Sequence, residues 1–114
     1  MTSFFMNSDH GDFAGDYHLP EKYPGSLDGL LVNIPLLARI DGTQVKNKRI
    51  KAPTQGFDVF ETILDIANVS VEFNRFAISL RDQVIDGKEG DTNRYVFSEG
   101  GFYYHNELKN LCNI

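Results

Sequence analysis

Residues 4–12 of the chain read FFMNSDHGD, and this stretch decides which fold the sequence is expected to adopt. The apolar run at its start predicts a strand over residues 2–7 that is buried on both faces, as in the parallel sheets of α/β proteins. Asp9 and His10, two residue types that bind metal ions, follow this strand directly. Open α/β sheets place their ligands at the carboxyl ends of strands. The stretch therefore predicts an α/β protein with a metal site beside its first strand.

A long loop rich in Gly, Asp and Pro follows this strand. Adjacent side chains of an extended strand point to opposite sides, so Asp9 and His10 can share one ion only if the backbone turns after them. Gly11 permits such a turn. Lys22, thirteen positions after Asp9, is expected to fold back over the site as a fixed positive charge. The carboxylate suits Ca²⁺ or Mg²⁺, whereas the imidazole favours Mn²⁺ or Zn²⁺.

The rest of the sequence predicts few helices that could cover a sheet. A short helix is expected over residues 26–31 with Ser26 as its N-cap, and apolar residues at helical spacing predict the main helix over residues 57–67. Further strands are expected over residues 34–40 and 94–97, the last continuing into residues 102–104, and an edge segment over residues 44–51. One good helix is too little to cover a parallel sheet on both faces. The pattern therefore predicts an incomplete α/β fold whose isolated chain is marginally stable.

The composition of the chain excludes several classes of protein. The chain has 114 residues, 41% of them hydrophobic and 24% charged, as expected of one globular domain. Its net charge of −5 argues against nucleic-acid binding, and no apolar run approaches the ~20 residues of a membrane span. A single cysteine excludes an internal disulfide framework. No basic region precedes the first apolar run, so no signal peptide is expected, and the chain would be cytoplasmic if expressed as it stands.

Five segments, in order, resemble the formylglycine-dependent sulfatases and their phosphonate monoester hydrolase relatives, which belong to the alkaline phosphatase-like superfamily. The segment at residues 8–16, SDHGDFAGD, resembles the metal loop of that family, and residues 21–23, EKY, its sulfate-lysine segment. The other three are similar to the next strand, a helix and a strand end of the family: VNIPLL at residues 32–37, FDVFETILDIA at 57–67 and FSEGG at 97–101.

The resemblance implies a partial catalytic domain over residues 1–114, with the metal loop at 8–22, the helix at 57–67 and C-terminal strands at 94–104. It implies that Asp9 and His10 bind a divalent metal, with Ca²⁺ as the usual family ion and Mn²⁺ or Mg²⁺ as alternatives. Lys22 would contact the sulfate and stabilise charge during catalysis. The remaining expected site residues are His18 in the catalytic loop, and Glu99 and His105 at the substrate.

The nucleophile of the family has no counterpart here. Sulfatases form formylglycine from a Cys or Ser in a C-x-P-x-R or S-x-P-x-R context, and neither Cys112 nor any Ser of this chain lies in one. The resemblance therefore places the formylglycine and two further metal ligands in a missing N-terminal part, which a separate polypeptide could supply. A sulfuric ester hydrolase is expected, inactive as this chain alone. The alternatives are a phosphonate or phosphate monoester hydrolase, or a non-catalytic truncated remnant.

Overall fold

The computed structural model describes residues 2–23, 25–43 and 45–100. Its elements are two strands, β1 (Phe4–Asn7) and β2 (Leu36–Arg39), three helices, α1 (Gly29–Val32), α2 (Gly56–Ile66) and α3 (Arg81–Asp86), and a 3₁₀ turn over Asp16–His18. The described residues form two compact units. Unit 1 comprises residues 2–9, 35–43 and 45–97, and unit 2 comprises residues 10–23, 25–34 and 98–100. Helices with a small sheet are consistent with an α/β fragment.

The predicted first strand forms, but its surroundings differ from the prediction. β1 pairs antiparallel with β2, so that Phe4 lies opposite Arg39 and Asn7 opposite Leu36. Phe4, Met6 and Leu37 are each more than half exposed. The expectation of a parallel strand buried on both faces is therefore wrong for the described residues. A strand is buried on both faces only when layers cover both, and among the described residues the sheet of unit 1 has just these two strands.

Helix α1 starts later than predicted, because its N-cap is Asp28 and not Ser26. The Asp28 carboxylate accepts a hydrogen bond from the Leu30 N–H at 2.9 Å, which satisfies one of the free donors at the helix start. The Ser26 hydroxyl oxygen accepts from the Asp28 N–H at 3.3 Å. Ser26 thus supports the capping residue without being the cap.

Helix α2 confirms the predicted helix within one residue at each end, but it buries the opposite face. Its apolar side chains Phe57, Phe60 and Ile63 are between 43% and 50% exposed. Asp58 and Thr62, which lie on the opposite side of the helix, are fully buried. The helical spacing of apolar residues therefore located the helix correctly and misplaced its core-facing side.

Hydrogen bonds to Asp58 explain this orientation. The Asp58 carboxylate accepts from the backbone N–H groups of Gln55 at 2.8 Å and Ile78 at 3.0 Å. It also accepts two bonds from the Arg94 guanidinium, Nη1 to Oδ2 at 2.6 Å and Nη2 to Oδ1 at 2.9 Å. One turn later, the Thr62 hydroxyl accepts from the buried Leu80 N–H at 2.8 Å. Buried polar groups need such partners, so this face of α2 is held inward.

Among the described residues, neither the predicted edge segment nor the predicted strand over residues 94–97 forms a strand. Near residue 51, the backbone N–H groups of Lys51 and Ala52 donate to the Glu89 carboxylate at 2.5 Å and 2.9 Å, and so are not free to join a sheet. Over residues 94–100 no strand is present, because the Arg94 side chain is bound to Asp58 and its N–H donates to the Asp91 carbonyl. Residues 101–104 of that prediction lie outside the described residues.

The hydrophobic interior of each unit is small. In unit 1, Ile40, Ala52 and Leu80 are buried, and in unit 2, Phe13 and Leu31 are buried. Within the part of the chain that the structure describes, no helix combines the length and the apolar character needed to cross a membrane.

The buried Asp58–Arg94 pair predicts acid-sensitive stability. Burial alone raises the pKa of the Asp58 carboxyl, but the hydrogen bonds from Arg94, Ile78 and Gln55 outweigh it and lower the pKa below its usual range. This stabilisation is fully present above the unfolded pKa of about 3.9 and is lost as the pH falls through the lower folded pKa. Urea titrations followed by circular dichroism should therefore show a free energy of unfolding that decreases below about pH 4.

Two substitutions compare the contribution of the buried Asp58–Arg94 pair with that of an exposed ion pair. Arg94→Met leaves a buried carboxylate unpaired and should cost about 3–5 kcal/mol of unfolding free energy at neutral pH. Asp82→Asn is the matched control, because Asp82 pairs with Lys88 at the exposed surface and should change stability by about 1 kcal/mol or less. Equal effects of the two substitutions would contradict the role given to Asp58.

Candidate functional site

Unit 2 brings together two of the residues that the sequence singled out, His10 and Lys22. The Lys22 Nζ atom lies 2.6 Å from the His10 Nε2 atom, a hydrogen-bonding distance across twelve positions of sequence. The loop between them therefore returns the lysine to the histidine. The contact lies at the exposed surface, where a ligand can reach it.

Two hydrogen bonds fix the state of the His10 ring. The His10 Nδ1 atom lies 2.7 Å from the Gly11 carbonyl oxygen, which can only accept, so Nδ1 carries the proton. The Lys22 ammonium can only donate, so Nε2 must accept with its lone pair. This geometry corresponds to the Nδ1–H tautomer of His10, with Nε2 as the acceptor. Metal-binding histidines have the same arrangement, with one ring N–H held by a carbonyl and the other nitrogen directed at the ion.

Gly11 holds the start of this loop against α1. Its N–H donates to the Leu31 carbonyl at 2.8 Å, and a Cβ atom at this position would lie 1.8 Å from the Leu30 carbonyl oxygen. Glycine is thus required by the close approach of two backbones, and its φ angle is not in the left-handed region. The expectation that Gly11 would serve as a flexible turn is replaced by a packing requirement.

Left-handed backbone conformations turn the loop between His10 and Lys22. Ala14, Tyr17 and His18 have φ angles of 51°, 54° and 60°, and Gly15 has 107°. A non-glycine residue in such a conformation costs on the order of 1–3 kcal/mol. The buried Phe13 ring anchors the turn and meets the Tyr17 ring edge-to-face, with centroids 5.7 Å apart. The chain reversal that returns Lys22 is therefore built from strained residues around one aromatic contact.

The reasoning from sequence did not single out Tyr17 or Asp28. The negative charge of the Asp28 carboxylate, and its hydrogen bond with the phenol, raise the pKa of Tyr17 above its usual value. Asp28 also caps α1, so this pair joins the loop to the helix that contacts Gly11. Tyr17, between Asp16 and His18 in the sequence, belongs to no motif that would have identified it.

The other predicted site residues are placed as follows. Asp9 is exposed and belongs to unit 1, while His18 and Glu99 are exposed in unit 2. The approach of Lys22 to the Asp9 carboxylate stays a prediction, and His105 lies outside the described residues. Among residues 2–23, 25–43 and 45–100, no group of three or more His, Cys, Asp or Glu side chains could hold a metal ion.

The close packing of Gly11 against α1 predicts the effect of adding a methyl side chain at this position. Gly11→Ala should displace the loop from α1 and separate His10 from Lys22, because the new Cβ atom would overlap the Leu30 carbonyl. The ¹⁵N resonances of the His10 ring should then lose the signature of a single Nδ1–H tautomer. Gly29→Ala is the matched control, since a Cβ atom there meets nothing within 4 Å. An unchanged His10 spectrum in Gly11→Ala would contradict this packing role.

Comparison with known proteins gives one informative similarity. The chain is 29% identical over 107 residues to an arylsulfatase of Clostridium perfringens (strain 13 / Type A). The match covers 89% of this chain and 21% of the arylsulfatase, so the chain spans about a fifth of the length of this relative. No family model matches the chain, and no solved structure matches it. The similarity is distant and supports a sulfatase-like function at most.

Proposed function

We propose that this chain forms part of a sulfuric ester hydrolase of the arylsulfatase type. In this proposal, Asp9 and His10 are metal ligands and Lys22 contacts the sulfate. The observation that carries the proposal is the 2.6 Å contact between Lys22 Nζ and the Nε2 lone pair of His10. The distant similarity to a protein named arylsulfatase supports the same chemistry.

We propose that this loop supplies part of the donor set of a divalent metal site. His10 offers one lone pair, on Nε2, and the Gly11 carbonyl keeps the other ring nitrogen protonated. Asp9, the preceding residue, would supply a carboxylate oxygen. We propose Ca²⁺ as the ion, with Mn²⁺ or Mg²⁺ as alternatives, of which Mn²⁺ suits the imidazole best. When bound, the ion would polarise the ester and activate the attacking oxygen.

Lys22 supplies the charge that sulfate transfer requires. Its ammonium has three N–H donors and lies exposed on the same loop as His10. A donor aimed at the oxygen atoms where charge develops lowers the barrier, because it stabilises the transition state more than the substrate. We propose that His18, on the turn between them, assists the reaction, and that Glu99 and His105 contact the rest of the substrate.

Completion of the site requires sequence that carries the formylglycine nucleophile and two further metal ligands. The exposed apolar face of α2, formed by Phe57, Phe60 and Ile63, supports a larger assembly, because such a face is normally covered in α/β proteins. We propose that a polypeptide with a C-x-P-x-R or S-x-P-x-R motif covers it. Phosphate or phosphonate monoesters are the alternative substrates, and the name of the Clostridium relative favours sulfate.

The proposal predicts that the purified 114-residue chain does not hydrolyse a chromogenic aryl sulfate. It lacks a residue that could become formylglycine, and loss of a covalent nucleophile leaves only residual catalysis from binding and charge. Release of the chromophore, followed by absorbance with Ca²⁺ or Mn²⁺ present, is the measurement. Turnover that depends on the metal and disappears in Asp9→Ala would contradict the assignment.

A chimera tests the proposed roles directly. The segment of the Clostridium arylsulfatase that aligns with this chain would be replaced by residues of this chain, leaving the other four-fifths in place. The chimera should hydrolyse an aryl sulfate, and Lys22→Ala within it should lower kcat/KM by about 10²–10³-fold, the usual loss for one charge-stabilising donor. Lys88→Ala, which removes an exposed lysine of unit 1, is the matched control and should leave kcat/KM unchanged.

Two outcomes would count against the proposal. A chimera that folds, as judged by circular dichroism, but has no activity would mean that this segment cannot take the place of its sulfatase counterpart. Full activity of the Lys22→Ala chimera would remove the lysine from the reaction.

A further inference from the structure

Tyr17, on the loop between His10 and Lys22, adopts a backbone conformation that costs free energy. Its φ angle of 54° is in the left-handed region, where a bulky side chain is an outlier. Tyr17 is nevertheless 68% exposed, so burial of its side chain offsets little of this cost. Strain of this kind is typical of residues that bind a ligand or take part in a reaction.

Two contacts hold the exposed ring of Tyr17 in place. The ring meets the buried Phe13 ring edge-to-face, with centroids 5.7 Å apart and ring planes at 81°. Its hydroxyl donates to the carboxylate of Asp28, the N-cap of α1. The turn around it is closed by a hydrogen bond of 2.9 Å from the Gly15 N–H to the Leu19 carbonyl. A side chain that is fixed in this way loses little conformational freedom when a ligand binds.

Tyr17 and Lys22 lie on the same closed loop. Five positions separate them, so their Cα atoms lie within about 18 Å of each other even along a fully extended chain, and the turn shortens this path. The Lys22 ammonium lies at the surface, 2.6 Å from His10 Nε2. A cation and an exposed aromatic ring on one loop suit a ligand that combines an anionic group with a ring.

We propose that Tyr17 determines specificity for sulfate esters of phenols over those of alcohols without a ring. The Tyr17 side chain packs against the ring of the ester while Lys22 binds its sulfate group. This inference rests on the proposed function, because it takes Lys22 as the sulfate contact. Aromatic rings pack edge-to-face or offset-stacked, and the contact with Phe13 leaves most of Tyr17 accessible to a second ring.

Binding of two sulfate esters to the full 114-residue chain tests this role without any turnover. Phenyl sulfate carries an aromatic ring, and methyl sulfate carries the same charge without one. The wild type should bind phenyl sulfate about two- to tenfold more tightly than methyl sulfate, in titrations followed by ¹H–¹⁵N spectra. The phenyl protons should also show nuclear Overhauser effects to the ring protons of Tyr17.

Three substitutions identify the source of this preference. Tyr17→Leu removes the ring and should bring the two affinities close together, whereas Tyr17→Phe keeps the ring on Phe13 and should retain the preference. Tyr95→Leu is the matched control, because Tyr95 is an 82% exposed tyrosine of unit 1, and should also retain it. The ¹⁵N resonances of His10 report whether the loop stays folded. If Tyr17→Leu disturbs it, the Overhauser effects in the wild type decide the question.

The possible failures are distinguishable. Lys22→Met should weaken the binding of both esters and of inorganic sulfate. If it does, but the wild type binds the two esters equally or Tyr17→Leu keeps the full preference, the role of Tyr17 is overturned and that of Lys22 stands. If the wild type binds none of the three anions, or Lys22→Met binds them as the wild type does, the sulfate contact at Lys22 falls together with this inference.

Discussion

The buried carboxylate of Asp58 is the interaction on which the structure of unit 1 depends. It ties the start of α2 to two distant segments, through the backbone at Ile78 and the guanidinium of Arg94. A buried charge without partners would be very costly, so these bonds fix the side of the helix that faces inward. The apolar side of α2 is left at the surface as a consequence. The inward packing of Asp58 and the exposure of the apolar side of α2 thus have one cause.

The structure of unit 2 depends instead on the close approach of two backbone segments, at Gly11 and at α1. Gly11 lies so near α1 that no side chain fits, and this contact sets the position of the His10 ring beside it. The left-handed residues after it return Lys22 to the imidazole. Strain of this kind is typically retained where a loop has to present side chains in one geometry. The paired histidine and lysine are the chemical feature from which the proposed metal and sulfate chemistry is built.

Part of this structure follows from local sequence patterns. The spacing of apolar residues located α2, and the run FFM located β1. The face that α2 buries could not be predicted, because it depends on an arginine 36 positions beyond Asp58. The strand predicted over residues 94–97 does not form for the same reason, because the Arg94 side chain is bound to Asp58. Positive φ angles at Ala14, Tyr17 and His18 were also unpredictable, since these residue types rarely adopt them.

The proposal tested most directly is that His10 is a ligand of a divalent metal through Nε2. Anomalous diffraction from crystals of the chain soaked in Zn²⁺ tests it most directly, because it locates the ion without reference to activity. The proposal predicts an anomalous peak about 2.0–2.1 Å from His10 Nε2. Zinc at other positions, with no anomalous peak at His10 Nε2, would contradict it.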